Sequence, residues 1–361
     1  MKSIVFSLIF FTFTFSAFSQ GINFQYTNIR AALAQAKSQN KLLFVEVYSK
    51  TCEHCAAFEP IFKEKAVADF YNQNFVCFRL EITSPEIQSF LTPKKLFVPS
   101  LPLFLYFDGN EVLQHFAMSN PIGSDVILHG QNAKNPTARS FNFRNRYSAG
   151  ERSDNFLFDL AMYCRVVCDT TLNIKIMNEY AKKLSPKNYG DKTSWLVTQK
   201  LIMDIDNPMA QNLVNNFADF KQKYPTEAKL VAENLLMSSL YSSRGNKYDA
   251  TKIQQIRKQL VKIGVESGSA NARTLLPEVN YYFRIKNTAA ATARANEYLS
   301  DSKAKIQDYS YIIKVFNQKA TDKSYVPTLK KWVAKAMTMT TAGSVEANEL
   351  NQQLTLANNK K

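Results

Sequence analysis

Two of the five cysteines, Cys52 and Cys55, are separated by two residues in the segment TCEHC, a spacing that suits thiol–disulfide exchange. The short apolar run Leu42–Tyr48 before them predicts a buried strand, and the apolar spacing from Cys55 onward predicts an amphipathic helix. Cys52 is therefore expected at a helix N-terminus, where free N–H groups and the helix dipole favour a thiolate. A protonated His54 would stabilise that thiolate further, and a stabilised thiolate leaves readily from a disulfide.

The residues around this pair resemble a known family. The stretch FVEVYSKTCEHC resembles the active site of the thioredoxin superfamily, and most of all the protein disulfide isomerase domains. Glu46 matches the acidic residue that this family has six positions before the first cysteine, and Pro60 matches its helix-kinking proline. Further on, SLPLFLYFDGNE resembles the strand and hairpin that follow the family's cis-proline, which makes Leu101–Pro102 the expected cis bond.

The resemblance implies a fold and a set of roles for residues 22–169. The fold would be an α/β thioredoxin-like domain, a mixed central sheet flanked by helices. Cys52 would be the exposed nucleophile, and the more buried Cys55 would resolve the mixed disulfide. Glu46 would have a raised pKa and relay a proton to or from Cys55. A histidine at the position of His54 is typical of the more oxidising members, so an oxidising or isomerising role is favoured.

The same resemblance implies a substrate-binding surface formed by Thr51, Leu101 and Pro102. Pro102 and its preceding peptide bond would face the cysteine pair and offer backbone atoms to a substrate peptide. Thr51 replaces the tryptophan that commonly precedes the first cysteine, and Leu101 replaces the usual threonine before the cis-proline. Because both departures alter the surface beside the active thiol, the family's substrate preferences do not carry over.

The remaining cysteines leave alternatives open. Cys77 lies in an apolar strand and is expected to be a small buried hydrophobe. Cys164 and Cys168 are four residues apart, so a helix would place them on one face, where core packing is favoured over a second redox or stapling pair. Together with Cys52 and Cys55 they could also form a zinc site. A third hypothesis is an inert disulfide in a domain without turnover.

The N-terminal residues 1–19 are typical of a secretory signal peptide. A lysine is followed by the apolar run Ile4–Phe15, and Ala17 and Ser19 are small residues at the spacing that signal peptidase needs. An uncleaved membrane anchor is the less favoured alternative, because the run is shorter than the ~20 residues of a spanning helix. We expect export across the inner membrane to the periplasm or cell envelope.

The formal net charge of +15, from 45 Lys+Arg against 30 Asp+Glu, raises the question of partners. The basic residues are dispersed, so a solvated basic surface is favoured and nucleic acid is not expected. Weak attraction to an anionic membrane surface or to acidic proteins is the alternative. The expected partners are protein thiol or disulfide substrates and a redox partner protein. No cofactor and no metal are expected.

The predicted domain 20–169 includes an insertion at about 119–152. The second strand of the hairpin is predicted over 111–118, and the next helix only near Ser153. The segment between them is predicted to be a long loop that hangs beside the active site, either a lid or substrate-binding loop or a plain solvated loop.

Residues 170–361 have a different character. Patterns typical of strands are absent here, and apolar residues recur with the 3.6-residue period of a helix, for example in the apolar faces at 309–316 and 329–336. An all-α bundle or short helical-repeat domain is predicted. The predicted function is an extracytoplasmic thiol–disulfide oxidoreductase whose helical domain recruits substrate or partner. The alternative is a non-catalytic binding or scaffold protein with a structural disulfide.

Overall fold

A computed structural model of the chain describes residues 21–300 and 303–359. The chain divides between Cys168 and Asp169 into two compact units. The predicted signal peptide, residues 1–19, lies outside the described residues. No helix in the described ranges is both long and apolar enough to span a lipid bilayer.

The first unit is built on a mixed four-stranded sheet of order β2-β1-β3-β4. β1 runs parallel to β2 and antiparallel to β3, and β3 and β4 form an antiparallel hairpin. The run predicted as a buried strand is the central strand β1, whose five inner residues are all buried, because both of its edges are paired and both of its faces are covered. The strands are β1 Leu42–Tyr48, β2 Phe75–Glu81, β3 Leu103–Phe107 and β4 Leu113–Ala117.

Helices, several of them short, surround this sheet. The single amphipathic helix predicted from Cys55 onward is divided into three, α2 to α4. Pro60 lies in the first turn of α3, where its missing N–H leaves no helical hydrogen bond unmade. The helices of the first unit are α1 Ile29–Ser38, α2 Glu53–Ala56, α3 Glu59–Lys63, α4 Lys65–Asn74, α5 Gly123–Lys134, α6 Phe143–Ser148 and α7 Asp154–Val166.

One row of side chains crosses the sheet and forms the core beneath α4 and α5. Register places Cys77, Phe44, Tyr106 and His115 side by side on β2, β1, β3 and β4. Tyr71 of α4 covers this row, and its hydroxyl lies 2.7 Å from the Tyr106 hydroxyl. The core is therefore aromatic, with polar groups satisfied inside it. The prediction for Cys77 is confirmed, since only 2% of this residue is exposed.

The prediction of a long loop over 119–152 is wrong. This segment contains α5 and α6, and α5 packs against α4 and β4. Val126 and Ala133 on α5 have no exposed surface, and Gly130 lies so close to the Phe70 ring that a Cβ atom there would be 2.5 Å from it. The inner face of α5 is made of small residues, which gives little hydrophobic periodicity to detect. The helix predicted near Ser153 does begin there, as α7.

All the regular secondary structure described in the second unit is helical. The predicted faces are confirmed: Tyr309, Ile312, Ile313 and Phe316 of α16 are buried, as are Leu329, Trp332, Val333 and Ala336 of α17. The helices are α8 Thr170–Lys183, α9 Lys192–Lys200, α10 Pro208–Asn215, α11 Phe217–Lys223, α12 Ala228–Leu240, α13 Ala250–Lys262, α14 Ser267–Arg284, α15 Thr288–Leu299, α16 Ile306–Lys319, α17 Val326–Met337 and α18 Val345–Asn359.

A buried charge cluster joins three helices of this second unit. Glu278 of α14 accepts hydrogen bonds from Arg257 of α13, from Gln254 at 2.9 Å and from Arg294 of α15 at 2.7 Å. Glu278 and Arg294 are almost wholly buried. Because a buried charge is tolerated only when it is paired and hydrogen-bonded, this cluster fixes the mutual packing of α13, α14 and α15.

Candidate active site

Cys52 and Cys55 lie where the central strand gives way to a helix, as predicted. β1 ends at Tyr48, Cys52 is the N-cap of α2, and the two cysteines form a disulfide with a Cα–Cα distance of 5.2 Å. The Cys55 N–H donates to the Cys52 sulfur over 3.1 Å. Cys52 is half-buried, whereas 2% of Cys55 is exposed. Cys52 is therefore the cysteine of the pair that is partly open to solvent, and Cys55 is enclosed.

Glu46 lies inside β1 with no exposed surface. Arg79 on β2 donates from Nε to Oε2 of Glu46 over 2.7 Å, while Oε1 is buried without a hydrogen-bond partner in the part of the chain that the structure describes. Burial raises the pKa of Glu46 to about 7, although the nearby Arg79 opposes the shift. A carboxyl with a pKa near neutrality can both accept and release a proton.

A third charged residue completes this group. Arg79 also contacts Glu59, the first residue of α3, with Nη1 2.6 Å from Oε1. The ring of Tyr48 lies 4.3 Å from the Arg79 guanidinium carbon. Sequence analysis missed both Arg79 and Glu59. The signal was an arginine that follows the apolar run Phe75–Phe78 in the strand FVCFRLE and has to find a carboxylate if it points inward.

The Leu101–Pro102 peptide bond is cis, as the resemblance implied. Leu103, directly after Pro102, pairs with Val47 near the end of β1, so Pro102 and the cysteine pair lie at the same end of adjacent strands. Pro102 is buried and Leu101 is half-buried.

The two other predicted site residues are on the surface. His54 lies within α2 between the cysteines, and Thr51 lies in the turn before Cys52, where its hydroxyl is 3.1 Å from that of Ser49. Both residues are exposed. They can contact an incoming molecule without any rearrangement of the core.

A comparison with protein families matches residues 25–109 to a family described as thioredoxin-like. The match contains the strand–turn–helix unit of the cysteine pair, the buried Glu46 and the cis-proline. The N-terminal unit is a thioredoxin-like domain. The matched residues extend from before α1 to the turn of the β3–β4 hairpin, and the helical second unit lies outside them. No curated protein matches the chain.

Two of the remaining cysteines lie at the end of the thioredoxin-like unit. Cys164 is buried on α7, but that helix ends at Val166, and Cys168 follows it with a left-handed backbone (φ 55°) and an exposed side chain. The expectation that a helix places both on one face is therefore wrong, because the chain leaves the helix between them.

The zinc hypothesis requires at least three ligands in one place. Within residues 21–300 and 303–359, no group of three or more His, Cys, Asp or Glu side chains is arranged to hold a metal ion. The sulfurs of Cys52 and Cys55 are bonded to each other. In the described part of the thioredoxin-like unit, the cysteine pair therefore forms a disulfide and is not part of a tetrahedral metal site.

Proposed function

We propose that the protein is an extracytoplasmic thiol–disulfide oxidoreductase that acts on the cysteines of other proteins. The observation that carries this proposal is the asymmetry of the disulfide, in which Cys52 is half-buried and Cys55 is enclosed. A buried carboxyl with a raised pKa, Glu46, lies on the strand that leads to the pair. A disulfide that only stabilises the fold needs neither an accessible sulfur nor a proton acceptor.

Reduction of a substrate then takes place in two exchange steps. The Cys52 thiolate attacks a substrate disulfide, whose S–S bond breaks, and one substrate sulfur leaves as a thiolate while the other is joined to Cys52. The Cys55 thiol loses its proton to Glu46 and attacks the Cys52 sulfur. The internal disulfide forms and the second substrate thiolate leaves. The substrate disulfide has then gained the two electrons that the protein dithiol lost, and the reverse sequence oxidises a substrate dithiol.

The surroundings of Cys52 support roles for the other predicted residues. Exposed His54 would stabilise the Cys52 thiolate when protonated. Thr51, Leu101 and Pro102 would contact the substrate backbone, because they border the turn that carries Cys52 or lie at the same end of the sheet.

A redox titration of the full chain against glutathione tests the proposal. We expect a reversible couple that is lost in Cys52→Ser and kept in Cys168→Ser, which removes an exposed cysteine outside the pair. A disulfide that remains oxidised below about −300 mV would be a structural one and would favour a non-catalytic binding protein.

Export and partner recruitment need separate tests. N-terminal sequencing of protein from the cell envelope should find a mature chain that begins at Gln20; a chain that keeps residues 1–19 would contradict cleavage. For recruitment, Cys55→Ala should trap substrates on Cys52. Photo-crosslinkers at the exposed positions Leu230, Tyr241 and Tyr311 should then capture some of the same proteins. Two sets without overlap would overturn the recruiting role.

A further inference from the structure

Arg79 is shared between two carboxylates that differ in their exposure to water. Its Nε atom lies 2.7 Å from Oε2 of Glu46, and its Nη1 atom lies 2.6 Å from Oε1 of Glu59. The Glu46 side chain has no exposed surface, whereas 46% of the Glu59 side chain is exposed. Because Arg79 contacts both carboxylates, its single positive charge is shared between Glu46 and Glu59.

The Arg79 side chain is held in this shared position. Its guanidinium carbon lies 4.3 Å from the Tyr48 ring centroid and 5.5 Å from that of Phe24. The parallel register of β1 and β2 sets Arg79 directly beside Glu46. Two rings and two carboxylates therefore surround the guanidinium and hold it between Glu46 and Glu59.

Glu59 also stands close in the chain to the inner cysteine. It follows Cys55 by four residues and begins α3, while Cys55 lies in α2. We propose that Glu59 is a positioning residue for the proton chemistry of Cys55, because by holding one side of Arg79 it leaves the Glu46 carboxylate incompletely neutralised. The inference rests on the proposed function, since Glu46 needs this property only if Cys55 exchanges protons during turnover.

The direction of the effect follows from the charges around Glu46. Arg79 on β2 favours the Glu46 carboxylate, whereas Glu59 on α3 disfavours it. On β3 the register partner of Glu46 is the uncharged Phe104, and Cys55 on α2 is uncharged while it is in the disulfide. Loss of the Glu59 charge removes a repulsion and leaves Arg79 to Glu46 alone, so both consequences favour ionised Glu46. Loss of the Arg79 charge has the opposite effect.

The test is an infrared titration of the buried Glu46 carboxyl in the oxidised full chain, with its band identified by its absence in Glu46→Gln. We expect Glu59→Gln to lower the midpoint by about one pH unit, as expected for loss of one nearby charge. Arg79→Met, which removes the cation, should raise the midpoint. Glu64→Gln, an exposed acid at the end of α3, is the matched control and should change nothing.

These variants separate charge sharing from general loss of structure, which would not shift the midpoint in opposite directions. An unchanged midpoint in Glu59→Gln overturns the inference, whether or not the protein exchanges disulfides. A second measurement follows the rate at which Cys55 resolves a mixed disulfide on Cys52 against pH; its inflection should move down in Glu59→Gln with the infrared midpoint. If the infrared midpoint moves but the disulfide never exchanges, the proposed function fails, and the role of Glu59 in proton chemistry fails with it.

Discussion

Arg79 and Glu46 face each other in the parallel register of β2 and β1, joined by a 2.7 Å contact between Nε and Oε2. The pairing does not make Glu46 an ordinary acid. Burial raises its pKa from 4.5 to about 7, so the cost of enclosing the carboxylate exceeds what the arginine returns. This balance has consequences for stability as well as for proton transfer.

The first prediction concerns the dependence of stability on pH. Between pH 4.5 and about 7 the folded protein holds a proton on Glu46 that the unfolded chain has released, so stability falls as pH rises through this window. In the wild type, Glu46 should lower the unfolding free energy by about 3 kcal/mol between pH 4.5 and pH 8, and Glu46→Gln should abolish this fall. Hydrogen exchange of β1 peptides, corrected for intrinsic rates, measures it, and α16 peptides serve as an internal reference. An equal fall in the variant would contradict the prediction.

His115 should make stability depend on pH in the opposite direction from Glu46. Its Nδ1 atom accepts from the Ser140 N–H over 3.0 Å, and burial lowers its pKa to about 3. Below pH 6.5 the unfolded chain takes up a proton that the folded protein refuses, so stability falls as pH drops.

His115→Asn offers a carbonyl acceptor that does not titrate. Between pH 6.5 and pH 4, the unfolding free energy of the variant should fall by about 3 kcal/mol less than that of the wild type, whatever the effect of the substitution at pH 8. Hydrogen exchange of β4 peptides reports the difference from wild type and so isolates this group from Glu46. If the acid loss survives in the variant, the buried histidine is not its source.

The two tyrosines of the Tyr71–Tyr106 pair should differ in how much their substitution by phenylalanine lowers stability. The Tyr71 hydroxyl donates to the Val126 carbonyl oxygen over 2.7 Å, so the proton between the two hydroxyls must come from Tyr106. Tyr71→Phe leaves the buried Tyr106 donor unpaired and should cost about 2–3 kcal/mol of unfolding free energy.

Tyr106→Phe removes that donor and should cost only about 1 kcal/mol. Urea unfolding followed by hydrogen exchange of β3 peptides compares the two variants in the first unit. Both tryptophans, Trp195 and Trp332, are in the second unit and report separately on it. Equal costs, or a larger cost for Tyr106→Phe, would show that the donor direction is reversed.

The cysteines outside the pair should differ sharply in reactivity. Cys77 is almost fully buried and its thiol pKa is raised strongly by burial, whereas Cys168 is exposed. In the oxidised native protein, iodoacetamide should modify Cys168 at least about 100-fold faster than Cys77, because only an accessible thiolate reacts. Peptide mass spectrometry gives both rates. Urea should bring the rates together, and similar rates in the native protein would contradict the burial of Cys77.

Local patterns in the sequence determined much of this protein. Leu42–Tyr48, a mostly apolar run with β-branched and aromatic residues, forms a strand as predicted, and Cys52 and Cys55 follow it at the start of a helix. The same holds for the apolar faces of α16 and α17, which repeat strongly enough to be recognised. The resemblance to the thioredoxin superfamily, and not a local pattern, implied the cis Leu101–Pro102 bond that the structure has.

Tertiary structure decided the features that depend on which elements become neighbours. Arg79 meets Glu46, 33 residues earlier, only because β1 and β2 pair in parallel with this register. Glu59 joins them only because the fold brings the start of α3 within reach of the Arg79 side chain. The sequence pattern did not reveal α5 because its buried face consists of small residues. These residues allow close packing against α4, but they give no strong hydrophobic periodicity. Sequence specifies the side chains that can do the chemistry, whereas the charge around them is set by contacts between distant segments.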